Sequence, residues 1–301
     1  MSADLADLFP GFASHWIDTE AGRIFARSGG SGPPVVLIHG FPQTHVEWHL
    51  IAPELAQRFT VVALDLRGYG WSSAPRSEKG ELYAKRAMGG DIVRAMEALG
   101  HARFAVVGHD RGARVAYRLA LDHPGRVSKL ALLDIMPTIT MWEGMDAKRA
   151  MQVYHWSFLA QSYPLPETLI SKAPLEFINH TLASWTKAKS LAPFDDFALA
   201  HYRAFFSDPS RIHACCEDYR AGATIDVEHD RADRESGKTV LCPTLILWGD
   251  VGIPAAGTNP HDVWRASFTP GATGQSVDSG HFLPEENPSA TLAALAPFLA
   301  A

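Results

Sequence analysis

The residues with the clearest chemistry form a short motif, Gly-His-Asp-Arg-Gly at 108–112, which directly follows the apolar run 104–107. A sharp turn between a strand and a helix needs small residues on both sides, and the two glycines supply them. Such a turn presents a single side chain, here Asp110, at the top of a sheet. A carboxylate there can attack an alkyl carbon that bears a leaving group, which gives an ester on the protein.

Two other candidates follow predicted strands, and the carboxyl ends of strands are where open α/β sheets place their active sites. Asp134 comes directly after the run 129–133, and His281 follows a late strand near 275–277. The chain order Asp110, Asp134, His281 is that of a nucleophile, acid and histidine triad. In this triad the histidine removes a proton from water, while the acid holds the imidazole in one tautomer.

The acid of this triad has an alternative. Asp134 could instead cap a turn, as aspartate after a strand often does. Asp250 follows the next predicted strand, in the sequence Trp-Gly-Asp-Val-Gly at 248–252. A triad acid in the pattern Trp-Gly-x-x-Asp would fall at Gly252, so Asp250 lies two residues too early. The sequence therefore favours Asp134 and keeps Asp250 as the rival.

Backbone and side-chain donors beside Asp110 indicate an anionic substrate. The N–H groups of Phe41 and Arg111 are predicted to form an oxyanion hole. Arg111 and Arg114 lie three residues apart on one helix face. A second anion at about 4 Å from Asp110 would be repelled by roughly 4 kcal/mol at a dielectric near 20, and two guanidinium groups can offset this. The arginines therefore favour a carboxylate substrate, although Arg118 continues the row as on a solvated helix face.

A carboxylic acid with a leaving group on its α-carbon is a 2-haloacid, and the departing halide needs hydrogen-bond donors. His155, Trp156 and Tyr219 supply N–H and O–H donors from the segments 154–156 and 218–220. Aromatic segments of this kind often serve packing alone. Trp185 is expected either to close over the substrate or to belong to the core.

Composition excludes several classes of function. The 301 residues are 47% hydrophobic and 20% charged, with a net charge of −6, so there is no basic footprint for nucleic acid. No apolar stretch approaches a membrane span, and no signal peptide is visible. The three cysteines lack metal-ligand spacing, so we expect reduced thiols, no metal and a cytoplasmic location.

Strand and helix patterns alternate in the first half of the chain, at 35–38, 47–58, 60–64, 83–99, 104–107 and 129–133. This order predicts a mostly parallel, doubly wound sheet, with a hairpin of 14–18 and 23–27 at its edge. Helical spacing without strands over 137–231 predicts an inserted cap. The polar run 232–238 predicts the connection that returns from the cap to the sheet. The core is then 1–136 and 232–301, with further strands at 244–248 and 275–277 and a helix at 290–300.

The chain resembles the fluoroacetate (haloacetate) dehalogenases of the α/β-hydrolase superfamily. The shared segments span nearly its whole length: 39–45, 108–114, 133–135, 154–157, 216–222 and 279–284. The resemblance implies the α/β-hydrolase fold, a homodimer and no cofactor. The roles that it implies are a triad, a carboxylate site and a halide site, formed respectively by Asp110, Asp134 and His281, by Arg111 and Arg114, and by His155, Trp156 and Tyr219.

The expected reaction is hydrolysis of a haloacetate to glycolate and halide, with fluoroacetate ranked before chloroacetate. An epoxide hydrolase would use the same Asp-His chemistry and is the nearest alternative. It would need cap tyrosines such as Tyr154 and Tyr219, and it has no use for Arg111 and Arg114. A non-catalytic, small-ligand-binding relative is an alternative of a different class, which the intact triad disfavours.

Overall fold

The computed structural model describes residues 5–252 and 259–301. Its strands, in chain order, are β1 (Ala13–Thr19), β2 (Gly22–Gly29), β3 (Pro34–Ile38), β4 (Thr60–Leu64), β5 (Phe104–His109), β6 (Val127–Leu133), β7 (Thr244–Gly249) and β8 (Thr273–Val277). Within the described residues they form one eight-stranded sheet in the order β1-β2-β4-β3-β5-β6-β7-β8. β2 pairs antiparallel with β1 and β4, and the other neighbours are parallel. The predicted α/β-hydrolase fold, with its edge hairpin, is confirmed.

Helices pack around the sheet, and most of them come after β6 in the chain. They are α1 (Ala52–Leu55), α2 (Lys85–Ala98), α3 (Asp110–Asp122), α4 (Thr138–Glu143), α5 (Ala147–Gln152), α6 (Tyr154–Leu159), α7 (Leu165–Ile170), α8 (Pro174–Trp185), α9 (Asp196–Phe206), α10 (Pro209–Ala223), α11 (Ile225–Glu235), α12 (Pro260–Ala266), α13 (Leu283–Glu286) and α14 (Pro288–Ala300). The apolar side chains of β3 are almost fully buried, as expected for a parallel strand with both faces covered. Over 5–252 and 259–301, we find no helix with the length and apolar character that a bilayer crossing requires.

Two sequence predictions were wrong at the level of single elements. The predicted helix 47–58 is a 3-10 turn, His45–Trp48, followed by the short helix α1. Pro53 lies in the first turn of α1, and because proline cannot donate a backbone hydrogen bond it ends any helix that precedes it. The predicted connection 232–238 is largely the end of α11, whose charged residues are tolerated on a helix surface.

All residues between β6 and β7 are described, and they form the eight helices α4 to α11. Their apolar side chains, such as Leu159, Leu182 and Tyr202, belong to the same buried cluster as the sheet residues Val107 and Leu132. The division into a core domain and a cap at 137–231 therefore stays a prediction. Cys215 and Cys216 are buried and Cys242 is partly buried, and all three are free thiols.

The turn between β5 and α3 explains the two glycines of the motif. Asp110 has a φ of +44°, in the left-handed region that side chains with a Cβ rarely adopt. A Cβ on Gly112 would lie 2.3 Å from the carbonyl oxygens of Ile38 and His39, and one on Gly108 would lie 2.7 Å from Ala113 Cα. The turn can therefore pack against the end of β3 only when position 112 lacks a side chain, and against the start of α3 only when position 108 does.

We predict that Gly112→Ala destabilises the protein by more than about 3 kcal/mol, because backbone atoms would have to move to admit the methyl group. Gly90→Ala is the matched control: Gly90 lies inside α2, and a Cβ added there would meet no neighbouring atom within 4 Å. That change should stabilise the protein by about 0.5–1 kcal/mol. Urea unfolding of both variants measures these changes in the free energy of unfolding. Equal values for the two variants would contradict the close packing of the turn.

Candidate active site

Three loops at the carboxyl edge of the sheet bring Asp110, Asp134 and His281 together. His281 Nδ1 lies 2.5 Å from Asp134 Oδ2, and His281 Nε2 lies 3.8 Å from Asp110 Oδ2. All three side chains are buried. His281 Nε2 has no hydrogen-bond partner among the described residues, so it faces the nucleophile candidate while Nδ1 is held by a carboxylate. This is the arrangement in which an imidazole can accept a proton beside Asp110.

The carboxylate of Asp134 is fixed by the ends of two strands. Asp134 has a φ of +51°, its N–H donates to Leu247 O at 2.8 Å, and its Oδ1 accepts from Gly249 N at 2.9 Å. A Cβ on Gly252 would lie 2.3 Å from Asp134 Oδ1. Gly252 is the position where the pattern Trp-Gly-x-x-Asp would place the acid. Because it borders the Asp134 carboxylate so closely, there is room for only one acidic side chain here.

Asp250, the rival acid, contacts a surface cation instead. Its Oδ2 accepts from Lys187 Nζ at 2.7 Å, and both side chains are exposed to solvent. This ion pair lowers the pKa of Asp250. The structure thus pairs His281 with Asp134 and leaves Asp250 in a surface ion pair.

Asp110 is an anion with very little water around it. Phe41 N donates to its Oδ1 at 2.9 Å, which places one predicted oxyanion donor against the carboxylate. Burial alone would raise the pKa of Asp110, but electrostatic attraction to His281, His109 and the two arginines outweighs burial and lowers it. The carboxylate is therefore ionised and weakly solvated, as a nucleophile should be. The second predicted donor, the N–H of Arg111, stays a prediction.

The two arginines differ in their partners. Arg111 Nη2 donates to Asp218 Oδ1 at 2.5 Å and to Asp218 O at 2.7 Å, and its Nε donates to the same Oδ1 at 3.1 Å. Arg114 Nη1 donates only to neutral oxygens, Met136 O at 3.1 Å and Thr138 Oγ1 at 3.0 Å. Burial and the neighbouring Arg111 lower the pKa of Arg114. Within the described residues, Arg111 has a carboxylate partner and Arg114 has none.

Aromatic rings from α6, α8 and α10 cover this edge of the sheet. The Arg111 guanidinium lies 4.3 Å from the Tyr219 ring, and that of Arg114 lies 4.5 Å from the Trp156 ring. The His155 ring is 5.6 Å from Tyr219. The predicted carboxylate and halide residues therefore share one buried space.

Trp185 lies between the two predicted groups. Its ring is 4.4 Å from the His155 ring and 5.3 Å from that of His281, and it stacks on Phe282 at 6.1 Å. It also packs against the Phe41 ring at 6.2 Å. Trp185 is buried and borders the triad, so it belongs to the wall of the site as well as to the core.

The decisive feature of this space is its set of buried polar atoms without a hydrogen-bond partner in the described chain. They are Arg111 Nη1, Arg114 Nε, His155 Nδ1, Tyr219 Oη and His281 Nε2. Leaving buried polar groups unpaired is costly, and such groups call for a functional explanation. Burial lowers the pKa of His155 to about 3 and raises that of Tyr219 well above 10, so both are neutral near pH 7. Neutral donors and two arginines therefore lie around one buried carboxylate.

Glu47, which supports the site through His109 and Gly40, was missed by sequence reasoning. His109, next to Asp110, places Nε2 2.8 Å from His281 O and Nδ1 3.0 Å from Glu47 Oε1. Glu47 also accepts from Gly40 N at 3.0 Å, so it braces the loop that carries Phe41. No spacing signal could reveal this, because the pair is separated by 62 positions. In the described parts of the chain, no group of three His, Cys, Asp or Glu side chains could hold a metal ion.

A family model described as the alpha/beta hydrolase fold matches residues 33–288. This chain belongs to the α/β-hydrolase family. It is 42% identical to a fluoroacetate dehalogenase from Burkholderia sp, over 97% of this chain and 95% of the relative. It is 31% identical to a soluble epoxide hydrolase from Corynebacterium sp. (strain C12), over 88% and 90% of the two chains.

Solved structures agree with this assignment. A crystal structure from Nostoc sp PCC 7120, described as that of an α/β hydrolase, aligns with a TM-score of 0.93 and 50% identity. The alignment covers 97% of this α/β-hydrolase and 99% of that chain. The resemblance to the haloacetate dehalogenases that we inferred from the sequence is therefore confirmed at the level of whole-chain similarity.

The His109–Glu47 pair makes the stability of this α/β-hydrolase depend on pH. Burial alone would lower the pKa of His109, but the Glu47 charge outweighs burial and raises it to about 9. A raised pKa stabilises the fold below the unfolded value near 6.5, and the contribution is lost as the pH rises through 9. We predict that His109→Gln is less stable than the wild type at pH 6. The gap, meaning the difference in their free energies of unfolding, should narrow by about 3 kcal/mol by pH 9.5.

Urea unfolding at both pH values measures this gap. His39→Gln is the control, because His39 is equally buried but its pKa is lowered by burial. A histidine with a lowered pKa contributes stability that is lost as the pH falls through its unfolded pKa, so the His39→Gln gap should not narrow toward pH 9.5. Parallel behaviour of the two variants would contradict the charged state of His109.

Proposed function

We propose that this protein is a hydrolytic dehalogenase of small 2-haloacids. Among these we rank fluoroacetate, converted to glycolate and fluoride, as the first candidate substrate. The observation that carries the proposal is the set of unpaired, buried donors around an ionised Asp110. The 42% identity to a fluoroacetate dehalogenase supports a hydrolase that acts on carbon–halide bonds. The substrate and the Asp-His steps below are our inference from the geometry.

Substrate binding would use the two arginines. Arg111 Nη1 and Arg114 Nε have no partner in the described chain, and together they can donate to the two oxygens of a carboxylate. Arg114 has no carboxylate partner of its own, so its charge can offset the repulsion between the substrate and Asp110. A neutral haloalkane would leave these donors unsatisfied.

In the first step, a carboxylate oxygen of Asp110 would attack the α-carbon in line with the carbon–halogen bond. The new C–O bond forms as the bond to the halogen breaks, and the electron pair leaves with the halide. His155, Trp156 and Tyr219 are then the donors that receive the halide as charge develops on it. Fluoride is the hardest halide to expel, but it is small and a strong acceptor, so three neutral donors suit it best.

In the second step, water would attack the carbonyl carbon of the Asp110 ester. His281 Nε2 accepts the proton of that water, and Asp134 stabilises the resulting imidazolium. The Phe41 N–H, 2.9 Å from Asp110 Oδ1, would donate to the oxyanion of the tetrahedral intermediate. Collapse of this intermediate breaks the bond to the glycolate oxygen, which takes the proton from the His281 imidazolium. The second proton of the water leaves the Asp110 carboxyl group for solvent, so the carboxylate is restored.

An epoxide hydrolase is the second candidate, because one relative at 31% identity is named a soluble epoxide hydrolase. Tyr219 has an unpartnered hydroxyl that could protonate an epoxide oxygen, whereas Tyr154 is partly exposed. The arginine pair would have no role in that reaction. A non-catalytic ligand-binding role is disfavoured by the assembled triad. The homodimer, the cytoplasmic location and independence from cofactors stay predictions.

We predict that His281→Asn carries out the first step and stalls at the second. After incubation with fluoroacetate, mass spectrometry should find about 58 Da added to the peptide that contains Asp110, the mass of a glycolyl ester. Asp110→Asn is the control, and it should release no fluoride and gain no mass. Halide release by His281→Asn without the adduct would contradict the role of His281, and turnover by Asp110→Asn would contradict the nucleophile.

The substrate class can be tested with ion-selective electrodes. We expect fluoride from fluoroacetate and chloride from chloroacetate. Release from chloroacetamide should be at least about 100-fold slower in kcat/KM, since the neutral amide loses the charge-assisted contacts to both arginines. Diol formation from a neutral epoxide at a rate above halide release would support the epoxide hydrolase instead. Equal rates for chloroacetate and chloroacetamide would refute a carboxylate site.

A further inference from the structure

Arg111 is held by a chain of buried charges that lies outside the triad and the donor set. Its partner Asp218, on α10, is fully buried. Asp218 also contacts Lys85 Nζ through Oδ1 and accepts from Tyr69 Oη at 2.7 Å through Oδ2. Lys85 is buried as well and lies 3.4 Å from Asp226. These charges connect the first turn of α2 to the helix that follows the nucleophile.

The contacts of Asp218 decide which protons of Arg111 remain available. A guanidinium has five N–H donors, one on Nε and two on each terminal nitrogen. Asp218 receives the Nε proton and both Nη2 protons, through its carboxylate and its backbone oxygen. The two protons of Nη1 stay free, and Nη1 is the atom without a partner in the described chain.

The backbone of α10 leaves the guanidinium little room to rotate. A Cβ on Gly222 would lie 2.8 Å from Arg111 Nη2, so the helix can approach this closely only with glycine at that position. On the other side, the Tyr219 ring lies 4.3 Å from Arg111 Cζ. Arg111 is therefore held by three residues of α10, and its Nη1 atom is left without a partner in the described chain.

We propose that Asp218 is a positioning residue that aims the Nη1 edge of Arg111 at the substrate carboxylate, with Lys85 and Tyr69 holding Asp218 in place. This inference rests on the proposed function, because it assumes a carboxylate substrate. It adds a specificity determinant that touches neither the substrate nor the reacting atoms. Asp218 places a second anion beside a site that would bind an anionic substrate. The charge of Lys85 offsets the resulting repulsion.

The direction in which one substitution changes anion affinity distinguishes positioning from simple electrostatics. Asp218→Asn removes a negative charge near the pocket, so by Coulomb attraction alone an anionic ligand should bind more tightly. If Asp218 instead orients Arg111, the same change releases the guanidinium and weakens binding. We expect a rise of about tenfold in the dissociation constant of acetate, together with a similar rise in KM and a kcat within about threefold of wild type.

The experiment is isothermal titration of the full chain with acetate and, separately, with bromide, which probes the halide donors. Bromide affinity should be unchanged or slightly higher in Asp218→Asn, because the halide donors stay in place and one nearby negative charge is gone. Asp233→Asn is the matched control, since it makes the same charge change at a buried partner of Arg118, seven residues along α3. It should leave acetate binding at the wild-type level.

Tyr69→Phe gives a second test if Asp218→Asn does not fold. It removes one hydrogen bond to Asp218 without changing any charge, and we expect acetate binding to weaken about two- to threefold. Acetate binding that is unchanged or tighter in a folded Asp218→Asn variant, or equal losses for acetate and bromide, would overturn the positioning role. A wild-type protein that binds no acetate and releases no halide would instead overturn the proposed function.

Discussion

The site depends on keeping Asp110 ionised in a place from which water is largely excluded. A buried carboxylate takes up a proton unless opposite charges compensate for its lost hydration. Here the compensation comes from neighbouring histidines and arginines, and two of these residues have acidic partners of their own. His109 faces Glu47, and Arg111 faces Asp218. One ionised, buried Asp110 therefore requires a network of buried charges that extends well beyond Asp134 and His281.

The fold supplies this network by ending several strands at one edge. Asp110 and Asp134 directly follow β5 and β6, and both adopt a positive φ, which costs about 1 kcal/mol or more for a residue with a Cβ. The strain is held by packing, since Gly112 lies against the end of β3 and Gly252 against Asp134. Backbone conformation and side-chain direction are thus set together at this edge of the sheet.

The sequence predicts the residues at the centre of the candidate site better than those that support them. Asp110, Asp134 and His281 could be found because strand patterns and short motifs mark the ends of strands. The partners Glu47 and Asp218 could not, because each lies far along the chain from the residue it contacts and a lone buried acid has no periodic signature. The helix predicted at 47–58 failed for a local reason, the proline at 53, which periodicity alone underestimates.

The two arginines, equivalent in sequence, have different tasks in the structure. Arg111 is paired with Asp218, and in the positioning role that we propose it contributes mainly direction. Arg114 donates to the neutral oxygens of Met136 and Thr138, so it contributes charge that the described protein does not balance. We propose that a substrate carboxylate would complete that balance, whereas a neutral molecule would not. On this proposal the attraction comes from one residue and the geometry from the other, so selectivity for small acids would follow from the pair and from neither arginine alone.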